Sequence, residues 1–334
     1  MNRRRLQRRK HRYGIKIIPI ALVSICAVFL SVRDALPSER KIIVVIRSRP
    51  LEEYDTAYRG FREGMKKNRR EVIYIDYDLE RYKIFREDEL ASKVSKIKAD
   101  IVCPIGTEAA EFVSERITGA PVVFFMVLDP EGAGIIKAEG SEDITGVTLD
   151  LPALIQFTHI KNILPDVKTV GMIYDARKKE DLAREAAAAA SETGLELIAR
   201  PAHTSSDITL ALEELFLSAE CLWAGIDTFV YNSTSGKHII LLTLKQQMPF
   251  IAFSSNFVKA GALLAFECDY YDIGVQASGL ANNVLRGRAA GSLPVERPRK
   301  ARILYNERTA EVIRARVNQD ALRRAQVFGK KEGE

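Results

Sequence analysis

KIIVVIRSRPLEEYDTAYRGFREGMKK, residues 41–67, is the stretch on which the fold turns. Residues 41–46 are a lysine and then a continuous run of β-branched side chains, the pattern of a strand covered on both faces. Charged and turn-forming residues follow, and then Tyr54, Tyr58, Phe61 and Met65 recur at helical spacing. A buried strand feeding an amphipathic helix is half of a βαβ unit, and a chain that repeats the unit builds parallel sheets.

Outward from this stretch the repetition is regular. Apolar runs at 71–75, 100–105 and 121–127 read as strands, and helices are expected at 87–98 and 107–117. A second run opens with a helix at 152–164 and a strand at 169–174. An Ala-rich helix over 178–193 is stopped by Gly194. A strand at 195–199 precedes a helix at 207–218, where Ser205, Ser206 and Asp207 offer capping oxygens. Strands at 221–226, 249–253 and 262–266 alternate with helices at 237–247 and 269–286. A Gly/Pro/Arg-rich linker spans 287–300, and a last strand at 301–304 leads to a helix from Glu307.

The expected fold is therefore α/β, with two doubly wound parallel-sheet lobes joined by crossovers and an N-terminal membrane anchor or signal segment before them. The expected boundaries are 1–38 for the basic and hydrophobic leader, 39–149 plus 268–290 for the N-terminal lobe, 150–267 plus 300–320 for the C-terminal lobe, and 321–334 for a tail. Hinges are expected near 148–151, 266–269 and 291–300.

The net charge of +6 is misleading. Nine Lys/Arg and no acid lie in residues 1–33, which leaves 41 basic against 44 acidic residues in the remainder. The basic excess is a leader and not a nucleic-acid-binding face. Residues 17–32 that follow it carry no charge, as in a secretory signal or signal anchor, and the arginines keep the leader cytoplasmic. The exit, Ser31-Val32-Arg33-Asp34, has no A-x-A pattern, and Ile25 before Cys26 is large for a lipoprotein site. The expectation is an extracytoplasmic chain held to the inner membrane by an uncleaved segment, or secreted after cleavage. Cys103, Cys221 and Cys268 lack metal or redox spacing and read as small buried hydrophobes.

Catalytic signatures are missing. His11, His159, His203 and His238 share no metal spacing, and neither a nucleophile elbow nor a P-loop occurs. Gly132-Ala133-Gly134 has Lys137 where a dinucleotide fingerprint needs a third glycine, so it reads as a tight turn. No metal and no cofactor is expected. In doubly wound sheets ligands sit beyond the carboxyl ends of the strands. The loops there are rich in Arg, Asp, Ser, Thr and Asn, suited to a small polar molecule. Thr107 opens a helix straight after a buried strand and either helps its N–H groups hold a ligand carboxylate or caps the helix. Asp129, before Pro130, is a ligand contact or a hinge residue. Asp227 and Thr228 follow a buried run and either suit an ammonium or form a solvated turn. Arg47 and Arg49 face an anion or form a solvated rim.

Eight stretches carry a resemblance: DTAYRGFREGM (55–65), GTEAA (106–110), PVVFFMVLDPEGAG (121–134), ITGV (144–147), ILPDVKTVGMIY (163–174), VKAGA (258–262), DYYDIG (269–274) and NERTA (306–310). In this order they resemble the ABC-transporter substrate-binding proteins of the tryptophan/tyrosine-type class, with the type I periplasmic binding protein fold. The resemblance implies a monomeric receptor that closes over a small solute, such as an amino acid, and serves an ABC permease with its cytoplasmic ATPase. It also implies cleft contacts at Asp55, Thr107, Asp129, Asp227, Ser254 or Ser255, and Asp269 or Tyr270. Residues 47–50 are more basic than in such relatives, and 231–237 are unusually polar. A second class is a sensor module that reports ligand occupancy to a membrane kinase or chemoreceptor. A third is an enzyme on the same scaffold.

Overall fold

The structure, a computed structural model, describes residues 40–67, 71–82, 86–136 and 143–329. The leader, with the expected anchor and Cys26, lies outside the described residues. Among the described residues no helix is long and apolar enough to cross a membrane.

The first sheet has five strands, β1 (Lys41–Arg47), β2 (Val72–Asp78), β3 (Ile101–Ile105), β4 (Val122–Val127) and β5 (Ile144–Thr148), in the order β2-β1-β3-β4-β5. All its pairs are parallel. β3 and β4 are buried along their whole length, which is why they are unbroken apolar runs without alternation. Between the strands lie α1 (Glu52–Lys66), α2 (Glu87–Lys96) and α3 (Thr107–Arg116). α1 buries Ala57, Tyr58, Phe61 and Met65, and the Phe61 ring stacks on Phe125 at 5.4 Å.

The second lobe begins with α4 (Ala153–Ile163) and continues through β6 (Thr169–Asp175), α5 (Glu180–Thr193), β7 (Glu196–Ala202), α6 (Ser205–Ser218), β8 (Cys221–Trp223), α7 (Ser235–Lys245), β9 (Phe250–Ala252), α8 (Ser255–Ala260) and β10 (Leu264–Cys268). The chain then returns to the first lobe as α9 (Tyr270–Leu285). Gly60, Gly64 and Gly274 let α9 lie directly on α1: a Cβ at Gly274 would run into the Ala57 carbonyl, and one at Gly60 into that of Tyr271. Residues 286–300 lead back to β11 (Ala301–Asn306), α10 (Glu307–Ile313) and β12 (Gln326–Phe328).

The second sheet has the order β12-β11-β10-β9-β8-β6-β7. It is not wholly parallel as expected, because β11 runs antiparallel to β10. The reason is connectivity. The returning chain re-enters where β10 leaves, with the Asp269 N–H donating to the Lys300 carbonyl at 3.1 Å, so β11 must run back along its neighbour. Two further expectations change. The segment 321–334, expected as a tail, contains β12, which pairs with β11. The cap of α6 is Thr204, in a reciprocal capping box with Asp207, one residue before the serines.

Three crossings join the lobes, at 148–153, 268–270 and 286–301. The last runs beside β5: Thr148 donates to the Glu296 carbonyl, and Glu296 donates to that of Gly146, both at 2.9 Å. Asp272 on α9 holds the same linker by accepting from Arg299 at 2.7 and 3.1 Å and Lys300 at 2.7 Å.

Candidate functional site

A chain of adjoining cavities follows the junction of the lobes at the carboxyl ends of the strands. The widest, 640 Å³, is walled by Leu128 and Asp129 after β4, Thr148 at the end of β5 and Asp150 beyond it, Lys178 and Lys179 after β6, and Ile226 and Thr228 after β8. Leu128 and Ile226 also line a second cavity of 180 Å³, with Leu149, Leu151, Gln156, Ala224, Phe253, Phe266, Glu267, Cys268 and Tyr270. Glu267 and Tyr270 in turn line a third, of 290 Å³, which takes Glu52, Glu53 and Thr56 from α1 and Ser255, Lys259, Arg302, Gln326 and Phe328 from the second lobe. A fourth, of 290 Å³, shares Lys178, Lys179 and Thr228 with the widest and adds Asp175, Arg177, Asp227 and Phe229.

The walls differ in character. In the widest cavity Arg297 of the returning linker pairs with Asp150 at 2.7 Å and with Glu185 of α5 at 2.9 Å, while Glu185 accepts the Ala153 N–H at 2.9 Å. Burial pushes the Asp150 carboxyl above its ordinary value, and Arg297 pulls it partly back. The 180 Å³ cavity is drier. Its Gln156 is held at both ends, accepting from the Trp223 indole N–H and donating to the Leu151 carbonyl, both at 3.0 Å. Burial holds the Cys268 thiol up at about 12, with Asp150 adding to the shift. Burial, and then Glu267, pushes the Tyr270 phenol up.

Of the residues expected at the site, Asp129, Asp227, Thr228, Ser255 and Tyr270 line these cavities. Asp129 accepts the Gly132 N–H at 2.8 Å, which closes the tight turn after β4. Asp227 is almost wholly buried and occupied by the backbone: it accepts from Phe229 at 2.9 Å, Val230 at 3.1 Å and Asp175 at 2.7 Å.

The others stand outside the cavity walls. Arg47 pairs with Asp55 at 2.6 Å and Asp78 at 2.9 Å, and Arg49 pairs with Glu108. Ser254 is the residue before α8, and Asp269 caps α9 by accepting the Asp272 N–H at 3.1 Å. At the start of α3, where Thr107 was expected either to meet a carboxylate or to cap the helix, Ser48 accepts the Ala109 N–H at 3.0 Å.

Sequence reading passed over Leu128, Gln156, Glu267 and Arg297. Glu267 left a signal: it is the lone charge in the buried run LAFEC of β10. Among the described residues no group of His, Cys, Asp and Glu is placed to hold a metal ion, and Cys103, Cys221 and Cys268 are free and buried.

Comparisons with known proteins agree on this architecture. Residues 41–328 match the family described as ABC transporter substrate binding protein. A tyrosine-binding protein of Clostridioides difficile (strain R20291) is 24% identical over 259 residues, covering 76% of this chain and 73% of the relative. Among solved structures, the ligand-free, open structure of a substrate binding protein with adhesive properties from Clostridium difficile matches with a TM-score of 0.66 at 20% identity, over 87% of this chain and 100% of that one. The ABC domain in complex with L-Trp from Streptococcus pneumonia matches with a TM-score of 0.51 at 22% identity, over 86% and 100% of the two chains. At such identities these structures speak for the fold: two α/β lobes.

Proposed function

The chain belongs to the family of ABC transporter substrate binding proteins, and from that premise we propose that it captures a small polar solute, an amino acid or related carboxylate, between its lobes and delivers it to a membrane permease driven by a cytoplasmic ATPase. The family binds and does not catalyse, and its place is extracytoplasmic. The basic leader and the uncharged run behind it fit attachment to the inner membrane, or export followed by cleavage. The protein works as a monomer whose two lobes close over the solute.

The observation that carries this reading is the run of cavities along the lobe junction, each sharing walls with the next and drawing residues from both lobes. A solute lodged there touches both lobes at once and so favours the closed arrangement by its differential contacts. Asp129, Thr228, Ser255 and Tyr270 are the residues of the expected set that stand at the walls.

Two measurements test it. Mass spectrometry of small molecules released on denaturing the purified protein should find one bound solute. A thermal-shift screen of amino acids and small carboxylates should find a compound that raises the midpoint, since binding to the native state alone adds about 2.7 kcal/mol at a hundredfold excess over Kd. Small-angle scattering with that compound should show a smaller radius of gyration. An empty protein with a flat response across a broad metabolite panel overturns the reading.

A further inference from the structure

We infer that Glu267 is the residue that reads the solute's ammonium, with the cavity between Leu128 and Phe253 as the seat of its apolar body. This rests on the proposed reading of the groove as a solute site. It goes further in naming the residue and the cavity of this chain that do the reading.

The 180 Å³ cavity is lined by aliphatic and aromatic side chains, and among the described residues Glu267 is the one charged group in its wall. Its other polar side chains are neutral: Gln156 has its oxygen and one N–H engaged within the protein, the Cys268 thiol donates to the Leu149 carbonyl at 3.5 Å, and Tyr270 brings a phenol. An apolar cavity of about 150 Å³ is large enough for a benzene ring, so a branched or aromatic side chain fits this one.

Glu267 is 11% exposed, yet it is thinly compensated. Its interactions among the described residues are the Ser255 N–H at 2.6 Å and Arg302 at 3.9 Å. Arg302 is committed elsewhere, donating to Gln326 at 2.9 Å. A carboxylate has about four acceptor sites, and burying one without a close cation is costly. An ammonium entering from the groove supplies the charge and up to three donors. A solute with a carboxylate and no amine would place a second anion beside Glu267. The same residue also lines the next cavity, where Lys259 and Arg302 stand. A zwitterion can therefore lie across Glu267, its apolar side chain on one side and its carboxylate towards these cations on the other.

The test is calorimetry on the full chain with three probes: L-phenylalanine, phenethylamine, which lacks the carboxylate, and 3-phenylpropionate, which lacks the amine. L-phenylalanine and phenethylamine should bind, and 3-phenylpropionate should bind at least about tenfold more weakly than L-phenylalanine. Glu267→Gln should weaken the two amines by about 10- to 100-fold without weakening 3-phenylpropionate. Glu267→Asp should recover part of the loss. Circular dichroism and the unliganded melting midpoint establish that each variant is folded.

Equal binding of L-phenylalanine and 3-phenylpropionate, or wild-type affinity in Glu267→Gln, overturns the ammonium assignment and leaves the solute-binding reading intact. If no probe binds, the assignment also falls. The solute released on denaturation then decides the broader reading: a bound molecule without an amine sustains it, and an empty protein removes both.

Discussion

Asp227 and Glu267 are both acidic residues of the C-terminal lobe beside the groove, and their surroundings are opposite. Asp227 accepts three backbone N–H groups, two from the loop after it and one from the end of β6. Glu267 has one such donor and a guanidinium at 3.9 Å. The first carboxylate builds a turn and ties two strand ends together. The second stands against an apolar cavity with acceptor capacity left over. Position at a strand end therefore does not by itself make a carboxylate a ligand contact. What decides is whether the following loop folds back to use it, as Asp residues in turns commonly permit.

The largest expected effect tests the Asp227 side of this contrast. Asp227→Ala leaves three backbone donors without their acceptor in a buried place, and each such loss costs about 1–3 kcal/mol unless water reaches it. Urea denaturation should show a loss of about 3 kcal/mol. Affinity for the solute, measured on the folded fraction, should change much less. A variant with the wild-type urea midpoint and no binding would reverse the contrast and return Asp227 to the ligand.

Much of the architecture was legible because it rests on local signals. The β-branched run of β1 and the Tyr54-Tyr58-Phe61-Met65 spacing of α1 each state their structure directly. β5 was missed as a strand. It is five residues long, carries Gly146 at its centre and owes its place to β4 and to the linker strand at Glu296. β12 was read as tail for the same reason: three residues are a strand only because β11 is beside them. The site was less legible than the fold. Asp129, Thr228 and Tyr270 could be placed at the cavity walls because strand ends are easy to locate. Where a carboxylate's hydrogen bonds go was not legible: one of the three donors to Asp227 comes from Asp175, far away in sequence.

Asp272 extends the comparison to a carboxylate satisfied by side chains. Burial raises its pKa, but the hydrogen bonds and charges of Arg299 and Lys300 outweigh this and hold it below its ordinary value. A lowered folded value stabilises the protein above the unfolded value, near pH 4, and the contribution disappears as pH falls through the folded value. Both partners are more than half exposed, which screens them. Asp272→Asn should therefore cost about 1–2 kcal/mol at pH 7. The gap between variant and wild type should narrow from pH 5 towards pH 3. A gap independent of pH would mean that packing, not charge, is what Asp272 supplies.

Arg297 supplies a smaller step, because its head is about one-third exposed and shared between Asp150 and Glu185. Arg297→Met keeps the stem and removes both pairs, at an expected cost of about 1 kcal/mol. The Asp150 carboxyl, already raised by burial, loses the cation that lowers it, so it should take up a proton at higher pH than in wild type. Carboxyl titration by NMR would show this, and an unmoved Asp150 would mean that solvent already screens the pair.

The smallest effect on stability is expected at Glu267, and its smallness is what the comparison with Asp227 requires. A carboxylate that builds the fold is missed when it is removed; one held for a ligand is missed only when the ligand is present. Glu267→Gln keeps an oxygen that can accept the Ser255 N–H and removes only a charge that Arg302 balances from 3.9 Å. Unliganded stability should change by no more than about 0.5 kcal/mol, in either direction, since relief of an under-compensated charge offsets a weakened hydrogen bond. The difference should appear on adding an amine that binds the wild type. At a hundred times its Kd that amine stabilises the wild type by about 2.7 kcal/mol, and a Kd weakened a hundredfold leaves about 0.4 kcal/mol in the variant at the same concentration. Paired melting curves, with and without amine, read both quantities at once. A variant destabilised by several kcal/mol without ligand would put Glu267 in the same class as Asp227, a carboxylate that the fold itself consumes.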